Sequence, residues 1–203
     1  MANAHQKKGI ELRLTKRRIY FLLGLIAVAA VVLAYFYFGP KPVQPLTSIQ
    51  YYSTVLNFRV DLREANKVPI YPYEQAVSNE IMNQLVENVT IVFKPASETE
   101  NSLYSLEIYE IIPKLMTGYS RIKTNPHFNA VQVSSYDNLA GTIKNPIIVL
   151  VHPIYSNETS VSVGLPGSSY NNHAIYIKGT DLKNFDLATE KFLMAALDIK
   201  NIK

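Results

Sequence analysis

Residues 146–151 read PIIVLV, a continuous apolar run that is rich in β-branched side chains. A run of this length without polar alternation is typical of a strand that is covered on both faces. Val89–Phe93, VTIVF, has the same character. Buried parallel strands need crossover connections, which are usually helices. The sequence around these two runs therefore predicts an α/β fold.

The flanking segments supply the other elements. Apolar and polar residues alternate over Leu56–Leu62, which predicts a strand with one buried face. Helical spacing predicts helices over 73–86 and 185–197, the latter with Asn184 as its cap. A further helix follows Asn101, and Pro113 either kinks it or ends it at Ile112. Shorter strands are predicted at 130–133, 161–163 and 174–177.

The predicted order is β-α-β-α-β-β-β-β-α within one mixed-sheet α/β domain over residues 48–203. Parallel pairs are expected early in this order, through helical crossovers. An antiparallel hairpin is expected late, where two short strands follow each other directly.

An apolar segment, IYFLLGLIAVAAVVLAYFYF, occupies residues 19–38 and contains no charged residue. As a helix it covers about 30 Å, the thickness of the hydrocarbon core of a bilayer. Aromatic residues stand at both of its ends, as is usual at membrane interfaces. The sequence therefore predicts an N-terminal transmembrane helix, followed by a proline-rich linker at 39–47.

The basic residues before this segment set its orientation. Residues 1–18 hold six Lys and Arg residues against the single acid Glu11. The positive-inside rule then places this tail in the cytoplasm and residues 48–203 outside the cell membrane, a single-pass arrangement. A cleaved signal peptide would have a shorter apolar core. A pilin-like leader would be apolar directly after Gly9, where Arg13 and Lys16 interrupt the pattern.

Charge and cysteine content exclude several classes of function. Because the tail holds the basic excess, the outer domain is close to neutral and is not expected to bind nucleic acid. The chain has no cysteine, so disulfides, Cys-based metal sites and thiol nucleophiles are excluded. No histidine pair has metal-ligand spacing, and neither a metal nor a cofactor is expected. No Gly-x-Ser-x-Gly or phosphate-loop motif occurs either.

One group of residues is a candidate ligand site. His152 directly follows the strand at 146–151, and ligands of open α/β sheets lie beyond the carboxyl ends of strands. Tyr155 and His173, at the end of the loop 164–173, are predicted to join it. The alternative is that His152-Pro153 merely closes the strand.

Carboxylates and sequons complete the candidates. Glu107 and Glu110 lie three residues apart on a predicted helix and are assigned to its solvated side. No catalytic residue is predicted. Asn157-Glu-Thr is a glycosylation sequon in a polar loop, and Asn88-Val-Thr is a second one at a strand entry.

The stretch 176–191, YIKGTDLKNFDLATEK, resembles the C-terminal end of uncharacterised single-pass envelope proteins of archaea. The resemblance covers the last quarter of the chain and implies an archaeal source, with no activity attached.

Three hypotheses about function follow. The first is a non-enzymatic anchored domain that contacts a membrane or envelope protein partner. The second is a small-ligand or hydrolytic domain with its site at His152. The third is homo-oligomerisation through the span and an exposed sheet edge.

Overall fold

The computed structural model describes residues 47–95, 97–164 and 172–200 of the chain, without the side chains of residues 98–100. The predicted basic tail, the span at 19–38 and nearly all of the linker lie outside these residues. Among the helices in the described ranges, none combines the length and the apolar character that crossing a bilayer requires.

Eight strands form two sheets within the described residues. The strands are β1 Thr47–Tyr51, β2 Thr54–Phe58, β3 Ile70–Tyr71, β4 Asn88–Phe93, β5 His127–Gln132, β6 Ile147–Val151, β7 Ser160–Val163 and β8 Ala174–Lys178. The first two form an antiparallel hairpin, and the other six form one sheet in the order β3-β7-β8-β6-β4-β5. Strands β8, β6, β4 and β5 run parallel, whereas β7 is antiparallel to β8 and β3 is parallel to β7. The predicted mixed-sheet α/β class is confirmed for this part of the chain.

Four helices and one 3₁₀ turn complete the described part. The helices are α1 Leu62–Ala65, α2 Glu74–Ile81, α3 Glu98–Arg121 and α4 Leu182–Ala196, and the 3₁₀ turn is Pro153–Tyr155. The predicted element order omitted β1, α1 and β3. These elements are short and leave no clear periodicity in the sequence.

Three boundaries differ from the predicted ones, and local hydrogen bonding explains the first two. The strand predicted to reach Leu62 ends at Phe58, because the Asp61 carboxylate accepts from the Arg63 N–H at 2.9 Å and caps α1. Helix α4 begins three residues earlier than predicted, with Asp181 and not Asn184 as its cap. Helix α3 continues through Pro113, so the predicted alternative of an end at Ile112 is wrong.

The sheet divides the core into two unequal layers. On one face, Ile91, Ile148 and Ile175 are fully buried beneath the helices. On the other face, Val149 and Tyr176 are covered by side chains of the connection between β5 and β6. Strand β6 is buried along its whole length, as the run PIIVLV predicted.

The β1–β2 hairpin packs against α3. Phe58 is fully buried, and the Arg121 guanidinium at the end of α3 lies 3.3 Å from the ring centre of Tyr52. The hairpin therefore runs beside the helix, and its last strand delivers Arg59 to the space between α3 and α4. This placement creates the charged cluster that is described in the next section.

Two glycines that lie close to neighbouring elements provide a matched test of how the helices are packed. A Cβ on Gly179 would lie 2.5 Å from the Cα of Phe185, whereas one on Gly118 would meet the flexible ends of Leu197 and Met82 at 2.6 and 2.8 Å. We expect Gly179→Ala to lower the free energy of unfolding by about 2–3 kcal/mol, because backbone cannot move aside.

Gly118→Ala is expected to change the same quantity by less than about 1 kcal/mol, since improved helix propensity offsets the crowding. Denaturant unfolding of both variants beside the parent chain checks the order. A larger loss for Gly118→Ala than for Gly179→Ala would contradict the packing described.

Candidate functional site

His152 closes strand β6 and is buried. It caps the 3₁₀ turn, with its Nδ1 accepting from the Ile154 N–H at 3.4 Å. The residue is only 5% exposed, and its ring centre lies 5.8 Å from that of Tyr104 and 6.4 Å from that of Phe185. These contacts fit the alternative in which His152 serves the strand end, because a ligand has little access to the ring.

A network of tyrosines surrounds this strand end. The Tyr136 hydroxyl donates to the Leu150 carbonyl at 2.8 Å and accepts from the Lys94 N–H at 3.1 Å. Burial raises the pKa of Tyr136, so the phenol stays protonated at neutral pH. Tyr155 stacks edge-on against Tyr136 and lies under the Lys94 ammonium, 4.7 Å from the ring centre. The network ties together the carboxyl ends of β4 and β6.

His173 lies at the opposite end of the sheet. Its carbonyl accepts from the N–H of Ile147, the first residue of β6, while His152 follows the last residue of that strand. The strand between them spans about 16 Å at ~3.3 Å per residue. The His173 ring is instead paired with Glu80, with 2.7 Å between Nδ1 and Oε1. The predicted grouping of His173 with His152 and Tyr155 in one small site is therefore wrong.

The two sequon asparagines differ in environment. Asn157 is exposed in the connection between the 3₁₀ turn and β7. Asn88 is the first residue of β4 and half-buried, and its amide donates to the Asn145 side chain at 2.7 Å. Access therefore favours Asn157 as a glycan acceptor, and the modification of either residue stays a prediction.

A buried ionic cluster was not predicted. Its six members come from β2 and from the two long helices: Arg59, Glu107, Glu110, Lys114, Asp186 and Glu190. The assignment of Glu107 and Glu110 to a solvated side is wrong, because Glu107 is only 3% exposed and the Glu110 side chain only 13%. The sequence did hold a signal. Glu107 stands three residues after Tyr104 and four before Ile111, within the buried stripe itself.

Arg59 is at the centre of this cluster. Its Nη2 lies 2.6 Å from Glu107 Oε1 and 3.3 Å from Asp186 Oδ1, and its Nε lies 3.7 Å from Glu110 Oε2. The Lys114 ammonium contacts the remaining oxygen of Glu110. A single guanidinium therefore joins carboxylates of α3 and α4 to the β1–β2 hairpin.

The cluster holds more carboxyl groups than cations, so it retains protons. Burial, and next the neighbouring Asp186, raise the pKa of Glu107 to about 7. Burial, and next Glu110, hold the pKa of Glu190 well above its ordinary value. Oε2 of Glu107 and Oε2 of Glu190 are buried without a hydrogen-bond partner among the described atoms. Because neighbouring carboxylates disfavour each other's ionisation, a proton shared within each pair, Glu107 with Asp186 and Glu190 with Glu110, is favoured.

This arrangement does not have the access that acid–base catalysis requires. Glu190 is fully buried, and only the side chains of Arg59 and Asp186 reach solvent to a sizeable extent. A general acid must lie within hydrogen-bond distance of a substrate atom. The geometry is that of a clamp, which fixes α3 against α4 and the hairpin.

The clamp turns the charged side of α3 inward. Between residues 101 and 120 the helix carries three charged side chains, Glu107, Glu110 and Lys114, and all three belong to the cluster. Over this range the outward side is uncharged, and its middle turns, residues 106–116, expose mainly apolar side chains. Tyr109 is 77% exposed there, and Met116 is 48% exposed. A helix on the surface of a soluble domain normally has the opposite arrangement.

A groove of about 500 Å³ lies between this outward side and strand β5. It is lined by Phe93, Ser105, Ile108, Tyr109, Ile112, Pro113 and Ala130. These residues, together with Met116, are here called the α3–β5 surface. None of them is charged, so the surface suits an uncharged, largely apolar partner.

Within the described ranges, strand β5 is an edge of the sheet. Among those residues it pairs with β4 alone, and its sequence HFNAVQ has no Lys, acid or proline. The N–H groups of His127 and Val133 donate toward β4. Alternation then directs the backbone groups of Phe128, Ala130 and Gln132 away from the sheet. Natural proteins usually block such edges with charge, proline or a bulge.

No family model, curated protein or solved structure matches the chain. The role of each site is therefore inferred from its own geometry and charge.

The clamp predicts how stability depends on pH. The pKa of Glu107 in the folded chain is about 7, above the ordinary value of 4.5, so the folded chain binds more protons between these values than the unfolded chain does. The free energy of unfolding should therefore fall as pH rises from 5 to 7, by at most about 1.4 kcal/mol per pH unit for each such group.

Glu107→Gln copies the protonated state and should flatten this dependence, since the amide keeps the Arg59 contact and can donate to Asp186. Denaturant unfolding at pH 5, 6, 7 and 8 measures it. Glu87→Gln, at an exposed ion pair with Lys144, is the matched control and should leave the slope unchanged. A parent chain whose stability rises over this range would rule out the shared protons.

Proposed function

We propose that this chain is a membrane-anchored interaction protein, whose outer domain docks a protein partner through the α3–β5 surface. The observation that carries the proposal is the inverted helix: between residues 101 and 120, α3 turns its three charges inward and exposes an uncharged side with Tyr109 and Met116. Large side chains such as Tyr109 gain most when a protein partner removes them from water. In this role the chain is an accessory or scaffold subunit of an envelope complex, without catalysis.

The proposed location follows from the sequence. The apolar segment 19–38 and the basic tail before it support a single-pass anchor with the outer domain beyond the membrane. The resemblance of residues 176–191 supports an archaeal envelope. An anchored domain with one exposed apolar surface suits a role beside other membrane proteins, because the anchor confines all partners to the same plane.

Two other exposed apolar residues lie outside this surface. Leu85 and Ile154 are both more than half exposed, yet neither lines the groove. Single apolar residues on a surface are ordinary, and a continuous patch beside a groove is what marks an interface. The geometry around His152 favours a ligand site less, because that ring is buried.

Introduction of charge into the surface tests the proposal. Tagged full-length chain is purified from native membranes in mild detergent, and the accompanying proteins are quantified by mass spectrometry. The double variant Tyr109→Lys/Met116→Lys should lose at least about tenfold of any stoichiometric partner, since two solvated cations would have to be buried in an apolar contact.

Leu85→Lys is the matched control, because it places a lysine at an exposed apolar position outside the surface. It should keep the partner. Equal recovery by the double variant and the parent chain would refute the surface. A purified chain that turns over a substrate, with turnover lost in His152→Ala, would replace the proposal with the ligand-site hypothesis.

A further inference from the structure

The groove beside β5 lies where a further strand would join the sheet. Ala130 of the edge strand forms one of its walls, and Ile108, Tyr109 and Ile112 of α3 form another. The outward backbone groups of Phe128, Ala130 and Gln132 border the same space. An added strand would satisfy these groups and would lie beneath the apolar side of α3, the mode of recognition known as β-augmentation.

Resting on the proposed function, we infer that the partner of the α3–β5 surface is a second copy of this chain, joined by antiparallel pairing of the two β5 strands around Ala130. A two-fold axis perpendicular to the sheet relates the copies, so that the same surface is used twice. The six-stranded sheets then join into one continuous sheet, with both helix layers on the same face.

The backbone of β5 fixes the register. Residues whose N–H and C=O groups point outward must lie opposite each other, so Ala130 faces Ala130 of the second copy. Phe128 then lies opposite Gln132 on the helix face, and Asn129 lies opposite Val131 on the other face. About six N–H···O bonds form across the junction. Ala130, with its small side chain at the axis, allows close approach.

Charge favours a second copy as the occupant. A surface that binds itself places each of its residues opposite a residue of the same surface, so like charges on it would repel. Neither β5 nor the outward side of α3 between residues 101 and 120 carries Lys, Arg, Asp or Glu. A lipid surface is less suitable, because helices that bind anionic headgroups carry Lys or Arg beside their apolar side.

The outward side of α3 also favours a second copy over a lone peptide strand. A single strand would fill the groove and leave Tyr109 and Met116 largely in water. In the two-fold arrangement the two α3 helices run antiparallel across the axis, and each covers the apolar side of the other. Helices pack in this way at about 8–10 Å between their axes.

Disulfide trapping tests the register, because the chain is free of cysteine. Opposed residues of this kind have Cα atoms about 5.5 Å apart, within the range of a disulfide. Ala130→Cys in the full-length chain, in mild detergent under mild oxidation, should convert more than about half of the protein to a covalent dimer. Adding Tyr109→Lys/Met116→Lys should reduce that fraction at least fivefold.

Val131→Cys is the matched control. It is exposed and adjacent, yet its two copies would be about 8 Å apart, beyond the reach of a disulfide. Equal dimer yields for the cysteines at 130 and 131 would overturn the pairing. Both variants change exposed positions, and far-UV circular dichroism verifies that each one folds.

The outcomes separate this inference from the proposed function. If Ala130→Cys stays monomeric while Tyr109→Lys/Met116→Lys still loses a different co-purifying protein, the surface is an interface and the second copy is the wrong occupant. Binding of the parent chain to anionic vesicles through this surface would likewise exclude the second copy. If neither cross-linking nor co-purification responds to the variants, both proposals fail.

Discussion

The buried contact of Arg59 with carboxylates of α3 and α4 is the constraint on which the architecture depends. Burying ions is unfavourable unless each is paired, and replacing such a network with apolar residues is often neutral or stabilising. The network is therefore better understood as a device for orientation than as a source of net stability. One guanidinium, reaching three carboxylates at 2.6 to 3.7 Å, fixes how α3 is rotated about its axis.

The rotation of α3 links the interior to the surface. Because the charged side of the helix is held inside, its outward side between residues 101 and 120 has only neutral residues, and these lie beside a strand that has no outer neighbour among the described residues. The orientation of α3 thus accounts for the clamp, for the groove and for the uncharged surface beside the exposed edge.

The strongest local patterns of the sequence were reliable guides to the fold. The runs at 89–93 and 146–151 are buried strands of a mixed sheet, and the late antiparallel hairpin is present. The stripe of α4 is buried as its spacing indicates.

Boundaries were less well predicted, because caps such as Asp61 and Asp181 compete with neighbours of equal propensity. The prediction that Glu107 lies on a solvated side was wrong. A carboxylate is normally expected at the surface, and the sequence does not show that a buried cation pairs with this one.

The sequence alone identified segments that are apolar enough to be covered, such as the strands at 89–93 and 146–151 and the last helix. It could not assign partners across long separations. Arg59 and Glu107 stand 48 residues apart, and Arg59 and Asp186 stand 127 apart, so only the tertiary structure brings their charges together. Likewise, His152 and His173 are both near strand ends in the sequence, and the parallel pairing of β6 with β8 alone places them at opposite ends of the sheet. Local periodicity reports how much each segment prefers burial, whereas the partner of a buried charge is set by chain topology.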